Sequence, residues 1–420
     1  MPTKQCYVKV NEAKVYKSVI DDKPKTPINR LLLGTYIEVI GREGNWLNIK
    51  SINDQTGWIK ESDTCNEAGL RCFFADVGQG DGILLEIGDI KIIIDGGKNA
   101  SLKTFMSDWK YKYAIDKNDV THINHLFITH LDDDHFNGLI ELINDTNYTF
   151  ENIYFAGISK FKEGKFNTKV GETVKVENVS YLKTIYETLD DIELDDKLND
   201  SIKEFIEAVK TKGQTCPIKT RRLESYCKLL EKKFDNKTFK VEVLGPISKT
   251  INGKPYFIYF GEESKTINGH SLVLKITFES FRMLLGGDLN EKSQKYLIDE
   301  HKDQNENDNS FKADVYKVGH HGANDFSIEF LKWVSPKASV FSSGDNDTYG
   351  HPSATAIGCA GKYSSSMKPL VFSTELARSY SKDTILYGTI FLRSNGTQTY
   401  IAQMKEGGKE SDPWEAYEVI

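Results

Sequence analysis

The stretch from Leu126 to Leu139 reads LFITHLDDDHFNGL, and its centre, His130 to His135, places two imidazoles and three carboxylates within six residues. Like charges crowded in this way are costly unless a cation sits among them, so a divalent metal ion or a pair of them is the chemistry this spacing calls for. The plain alternative is a solvated acidic loop with an aspartate capping a helix. Two histidines at fixed offsets weigh against it. Similar side chains recur along the chain: Asp81 in VGQGDG, Asp95 in IIIDGG, Asp288 in LLGGDL, His320 and His321 in VGHHGA, and His351 in YGHPS. Isolated Asp-Gly pairs usually mark turns, so the weight lies in the repetition rather than in any one of them.

The elements that must position these groups follow a common plan. Apolar or β-branched runs at Cys72–Val77, Ile83–Ile87, Ile90–Ile94, Leu126–Thr129, Phe239–Leu244, Leu272–Phe278, Arg282–Leu285, Val315–Val318 and Ala338–Ser342 read as strands. Several end in glycine followed by aspartate or histidine, which lines polar groups along one edge of a sheet assembly, where α/β folds hold ligands. Helical patterns are expected over Leu102–Tyr113 and from Phe136 through Ile143, where Asn137-Gly138 leaves the exact start open. Thr389–Gln403 reads as a closing hairpin around Asn395-Gly396.

From Tyr7 to about Asp63 the pattern changes to short alternating runs, YVKV, TYIEVI, WLNIK and TGWIKE, punctuated by glycines, as in a small β-barrel. Its two tryptophans read first as core and second as a groove for a peptide. Residues 1–66 are therefore expected to form an all-β domain and 67–420 a larger α/β one. Between about 150 and 240 lies a charged segment that reads as a helical insertion. Glu187–Asp200 carries seven carboxylates against one lysine, and Ser201–Lys240 eleven Lys/Arg against five Asp/Glu. A solvated pair of helices is the simplest account. If the substrate is a polyanion, Arg221, Arg222, Lys232 and Lys233 are the expected phosphate contacts.

The chain has 420 residues and a net charge of −7, which sets it apart from general nucleic-acid binders with a basic footprint. No apolar run has the length of a signal peptide core or a membrane span, so a cytoplasmic protein without membrane contact is expected. Six cysteines without a CxxC pair read as reduced structural thiols.

The motifs DVGQGDG, IIIDGG, THLDDDHFNGL, NGHSLVL, LLGGDL, VGHHGA and YGHPS, in this order, resemble the metallo-β-lactamase superfamily and within it the branch typified by the C-terminal domain of the competence protein ComEC. The first 60 residues, with Gly34, Val39, Trp46 and Gly57-Trp58-Ile59, resemble bacterial SH3-like domains. The resemblance implies a four-layer αββα sandwich with a two-metal hydrolytic site. Carried onto this chain, His130 and Asp132 would bind the first ion, Asp134 and His135 the second, and Asp288 would bridge. His320 or His321 would complete the shell, with His320 placed among the ligands and His321 among the catalytic groups. Asp95 would orient the metal loop from behind. Asp81 would sit near the ions, and His351 would meet substrate or donate a proton. Asp134 would serve in both ligation and catalysis. His270 stands where relatives often carry asparagine, as a spare ligand or a surface residue.

An aspartate at position 132 in place of the superfamily's second histidine makes the first site rich in oxygen, which opens it to manganese or magnesium as well as zinc. The expected function is a phosphodiester hydrolase using metal-bound hydroxide, with DNA as first substrate. A small phosphodiester, such as a cyclic nucleotide or a phosphocholine ester, is the second. A non-catalytic binding or sensor module, recruiting a protein or peptide through the SH3-like domain, is the rival from another class.

Overall fold

The computed structural model describes residues 6–20, 23–24, 26–51, 55–234, 236–344, 349–375 and 384–420. Its larger part is built of two mixed sheets packed face to face, with helices on both outer surfaces. The first sheet has nine strands. Its order is Lys219–Arg222, Tyr148–Phe155, Thr121–Phe127, Ile90–Gly96, Gly82–Ile87, Leu70–Phe74, Ile390–Ser394, Thr399–Met404 and Trp414–Glu418. The second has seven, in the order Lys228–Phe234, Lys237–Gly245, Val273–Phe278, Phe281–Leu285, Val315–Lys317, Ala338–Phe341 and Leu370–Ser373.

The two-residue period of the strands explains the layering. Along Ile90–Gly96, Ile90, Ile92 and Ile94 enter the core between the sheets, while Ile93 joins the core beneath the helices. The second sheet divides likewise, Leu274, Ile276, Met283 and Leu285 facing the first sheet and Val273 and Leu284 facing the other helices. Each fully buried Ile or Leu is worth about 1.5–3 kcal/mol, so a register slip of one residue would exchange two cores at once. Helices Asp133–Asn144 and Asp200–Gly213 cover the first sheet; Glu291–Glu300, Ile328–Val334 and Ala354–Lys362 cover the second. This is the αββα sandwich.

Seven strands between Cys6 and Cys65 form a separate sheet, from Pro27–Leu32 at one edge to Thr64–Cys65 at the other. Its core holds Val8, Val15, Ile37, Leu47, Ile49 and Ile59. Trp46 is buried and Trp58 half-buried.

The segment from 150 to 240 departs from expectation. It contains one long helix, Asp200–Gly213, and otherwise short strands joined by loops. Lys219–Arg222 and Lys228–Phe234 are edge strands of the two large sheets, so the positive run divides between the helix and sheet edges. Charged residues on an edge strand discourage pairing with another chain, which accounts for the part of the run beyond the helix. Asn137-Gly138 does not interrupt its helix. A Cβ on Gly138 would lie 2.2 Å from the Asn99 carbonyl oxygen and 2.3 Å from that of Gly96, so glycine lets this helix settle onto the end of the Ile90–Gly96 strand. Among the described residues no helix is long and apolar enough to cross a membrane.

Candidate metal centre

The strand Thr121–Phe127 ends in the loop that carries His130, and the helix after it starts at Asp133 with Asp132 as its N-cap. Asp134 stands in the first turn, and His135 points inward from the same turn, fully buried. Asp95, at the end of the neighbouring strand, holds this loop. Its carboxylate accepts hydrogen bonds from the Thr129 backbone N–H at 2.8 Å, from the Thr129 hydroxyl at 2.6 Å and from His135 Nδ1 at 2.9 Å. On the far side Asp288 follows Phe281–Leu285, and His321 follows Val315–Lys317. His321 Nδ1 donates to the Ser342 carbonyl at 2.8 Å.

With both Nδ1 atoms engaged as donors, His135 and His321 turn their Nε2 lone pairs toward one another, 3.3 Å apart. Asp288 lies 3.3 Å from the first and 3.2 Å from the second, and Asp134 Oδ2 lies 3.5 Å from His321 Nε2. Two neutral imidazoles and two carboxylates converge here with no donor of their own between them. That set suits a divalent cation. Left to protons alone, the cluster draws them in. Burial opposes the charge on His321, but Asp288 and the hydrogen bonds of Asp134 and Asp288 push its pKa up to about 9. His135 is raised in the same way by Asp288 and Asp95 against burial.

A second convergence adjoins the first. His130 Nε2 is buried without a hydrogen-bond partner and lies 3.9 Å from Asp132 Oδ2 and 3.9 Å from Asp288 Oδ2. Those separations are too long for hydrogen bonds and suit donors around one ion. Burial, helped by the charge on His135, pulls the His130 pKa down to about 4 and keeps its lone pair free. His130, His135 and Asp288 form one group with metal-ligating spacing, and Asp134, His135 and His321 another.

The remaining sequence candidates fall into place around these two groups. Of the two adjacent histidines, His321 enters the cluster, while the His320 ring stands beside His351, centroids 5.7 Å apart. The backbone explains the difference, since both residues adopt φ near +50° and the chain turns sharply between them. His351 is half-buried, 3.4 Å from the Gln79 side-chain amide and stacked on Tyr349; residues 345–348 of its loop lie outside the described residues. Asp81 sits behind His321, 3.6 Å from its Nδ1, and forms a buried ion pair with Lys317 at 2.5 Å. Gly80 admits that loop, because a Cβ there would meet the Asp134 carbonyl oxygen at 2.1 Å.

His270 is neither a ligand nor a surface residue. It is 1% exposed, stacked between Phe257 and Phe260, with Nε2 donating to the Ile258 carbonyl at 2.8 Å. Arg222 is held by Glu187 and Glu224, 3.0 Å from each, and so is not a free phosphate contact. Arg221, Lys232 and Lys233 are exposed on sheet edges and do not join the cluster. Sequence reasoning missed Lys317, Lys160, which pairs with Asp132, and Ser271. Only Lys317 had a visible signal, as a lysine ending the apolar strand that delivers GHHG.

No family model matches the chain. It is 34% identical over 86 residues to ComE operon protein 3 of Bacillus subtilis (strain 168) and 35% identical over 86 residues to competence protein ComA of Neisseria gonorrhoeae. Each match covers 20% of this chain. The four layers are those of the metallo-β-lactamase fold, and over the matched stretch the chain is similar to these two proteins. The chain spans about a tenth of the length of these curated relatives, 10% of the first and 12% of the second. Among solved structures, the metallo-β-lactamase fold protein YhfI of Bacillus subtilis is 11% identical with a TM-score of 0.34, covering 72% of this chain and 96% of that one. The metallo hydrolase Igni18 of Ignicoccus hospitalis is 12% identical with a TM-score of 0.35, covering 77% and 100%. Asp132 adds a carboxylate near His130, beside the His135 imidazole and the Asp288 carboxylate.

Proposed function

We propose that the chain is a metal-dependent phosphodiester hydrolase with a two-ion site, and that its substrate is DNA. The observation that carries this reading is the pair of imidazole Nε2 atoms 3.3 Å apart, flanked by Asp134 and Asp288, with His130 Nε2 3.9 Å from Asp132 and from the shared Asp288. His135, His321, Asp134 and Asp288 would hold one ion and His130, Asp132 and Asp288 the other, with zinc or manganese favoured and magnesium admitted by the oxygen-rich group. Ions bound there supply an activated water and Lewis-acid stabilisation of phosphoryl oxygens.

The chain's own residues do the rest. Asp95 and Thr129 fix the orientation of His135, and the Ser342 carbonyl fixes that of His321. Asp81 and Lys317 neutralise one another behind the cluster. His320 and His351 stand side by side at its rim and would meet substrate. Burial, together with His321 and His320, draws the His351 pKa down to about 4, so at neutral pH it would hydrogen-bond a substrate oxygen as a neutral imidazole. The curated relatives' names tie one of them to competence, which supports DNA.

A small phosphodiester is the second reading. The net charge of −7 and the ion-paired state of Arg222 favour it. Residues 1–66 are proposed as a separate SH3-like domain that recruits a peptide or protein, and the cytoplasm as the site of action. Chelator-treated protein reloaded with manganese or zinc should cleave single- or double-stranded DNA and bis(p-nitrophenyl) phosphate. Cleavage of the chromogenic ester but of no DNA would move the assignment to a small substrate. Cleavage of neither, with metal shown to be bound, would remove the hydrolase reading.

A further inference from the structure

Where the N-terminal sheet meets the outer face of the nine-stranded sheet lies a pocket of about 640 Å³, none of whose lining residues belongs to the metal cluster. This volume suits a small-molecule site, for which about 300–1,000 Å³ is usual. The strand register makes its floor. Arg71 is directly opposite Glu86 on one side and Arg393 on the other, so the three side chains share one face in a single cross-strand row. Lys110 reaches in from the helical layer. Glu86 pairs with Lys110 at 2.8 Å and with Arg71 at 3.3 Å, one carboxylate serving two cations.

Arg393 has no ion-pair partner within 4 Å among the described residues. It lies over Phe73, 4.4 Å from the ring centroid, donates to the Leu392 carbonyl at 3.0 Å, and keeps its Nε without a hydrogen bond although the residue is only 7% exposed. Two guanidinium groups directly opposite one another in a sheet repel, and here, with Arg393 buried and Arg71 half-buried, there is less than one carboxylate for each cation. Burial and the nearby Arg71 charge pull the Arg393 pKa down to about 9, and burial outweighs Glu86 in bringing Lys110 to about 8. Both shifts describe a place that is short of negative charge. The walls are aromatic: Tyr36, Trp109, Tyr387 and Trp414 line the pocket, Trp109 at its mouth and 43% exposed. Lys409 and Glu410 also line it.

We propose that this pocket binds a mononucleotide, its phosphate on Arg71, Lys110 and Arg393 and its base against the aromatic wall. Planar rings stack on indole and phenol faces, and guanidinium groups are matched to phosphate oxygens. The strand ends that carry the metal cluster lie beyond Phe74 and Gly96, whereas Arg71 is at the start of its strand, so the site lies toward the opposite end of the same sheet. A ligand there would touch Leu31 and Tyr36 of the N-terminal sheet together with the sandwich, tying the two together.

The proposal is independent of the hydrolase reading, and its test is arranged to stay so. Isothermal titration calorimetry of the full chain in EDTA, with AMP, adenosine and inorganic phosphate as probes, should show one AMP site and weaker binding of the other two. Arg393→Met and Lys110→Met should each weaken AMP by about tenfold or more, as expected for loss of a charged hydrogen bond. Trp109→Ala, on the exposed rim and without risk to the core, should weaken AMP and leave phosphate unchanged. Asp134→Ala, in the metal cluster, should leave AMP binding intact. Absence of AMP binding, equal binding of phosphate and AMP, indifference to Trp109→Ala, or loss of AMP binding in Asp134→Ala would each overturn the assignment.

Discussion

His135 and His321, 186 residues apart in sequence, face each other through Nε2 atoms 3.3 Å apart, each held in that orientation by a hydrogen bond from its other ring nitrogen. His320, the immediate neighbour of one of them, points elsewhere. The pair of variants His321→Ala and His320→Ala therefore separates ligation from substrate contact. His321→Ala should lose about one metal equivalent by elemental analysis along with most activity. His320→Ala should keep its metal and lose turnover. Equal metal loss in both would contradict the geometry.

Asp95 touches no expected ion directly and acts by holding Thr129 and His135. Asp95→Asn keeps the shape but weakens the polarisation of the His135 ring. Losses in metal affinity or activity of about 10–100-fold are the usual cost of such a change. Competition with a metallochromic chelator reads the affinity separately from turnover, and an unchanged affinity would place Asp95 in a purely structural role.

Lys317 and Asp81 form an ion pair with 0% and 2% side-chain exposure. Removing one partner leaves a buried charge, which costs about 3–5 kcal/mol in such settings. Lys317→Met should lower the urea midpoint sharply, and the double variant Lys317→Met, Asp81→Asn should recover a substantial part. The double variant keeps His321 and the cluster, so its metal content should stay near that of the parent.

His270 gives the protein an acid-sensitive element outside the cluster. Burial between Phe257 and Phe260, partly offset by the bond to Ile258, lowers its pKa from the ordinary 6.5 to about 4. The unfolded chain takes up this proton first as pH falls. The stabilising contribution is therefore complete above about pH 6.5 and is lost progressively down to about 4, with an upper bound of about 3 kcal/mol. Urea unfolding at several pH values should show that slope in the parent and a flatter one in His270→Phe over the same window. Identical slopes would assign the acid sensitivity to other groups.

Much of the sandwich was legible in the chain because strand periodicity is local. The isoleucines of Ile90–Gly96 and the alternation of Val273–Phe278 state both faces of their strands outright, and the Gly-Asp and Gly-His endings state where polar groups emerge. In the segment from 150 to 240 the charge blocks fall on the helix Asp200–Gly213 and on edge strands alike, because both are solvated. Only the pairing of Lys219–Arg222 with Tyr148–Phe155 and of Lys228–Phe234 with Lys237–Gly245 separates the two.

What the sequence determined by itself was the inventory of the metal centre: which residue types recur, and that they follow strands. The choice between His320 and His321, the burial of His270, and the partnership of Lys317 with Asp81 were decided by the tertiary structure alone. Sequence spacing fixes neighbours along one strand or helix turn. Which nitrogen faces which carboxylate depends on how strands from two different sheets are brought edge to edge, and that is set by packing contacts that no local pattern encodes.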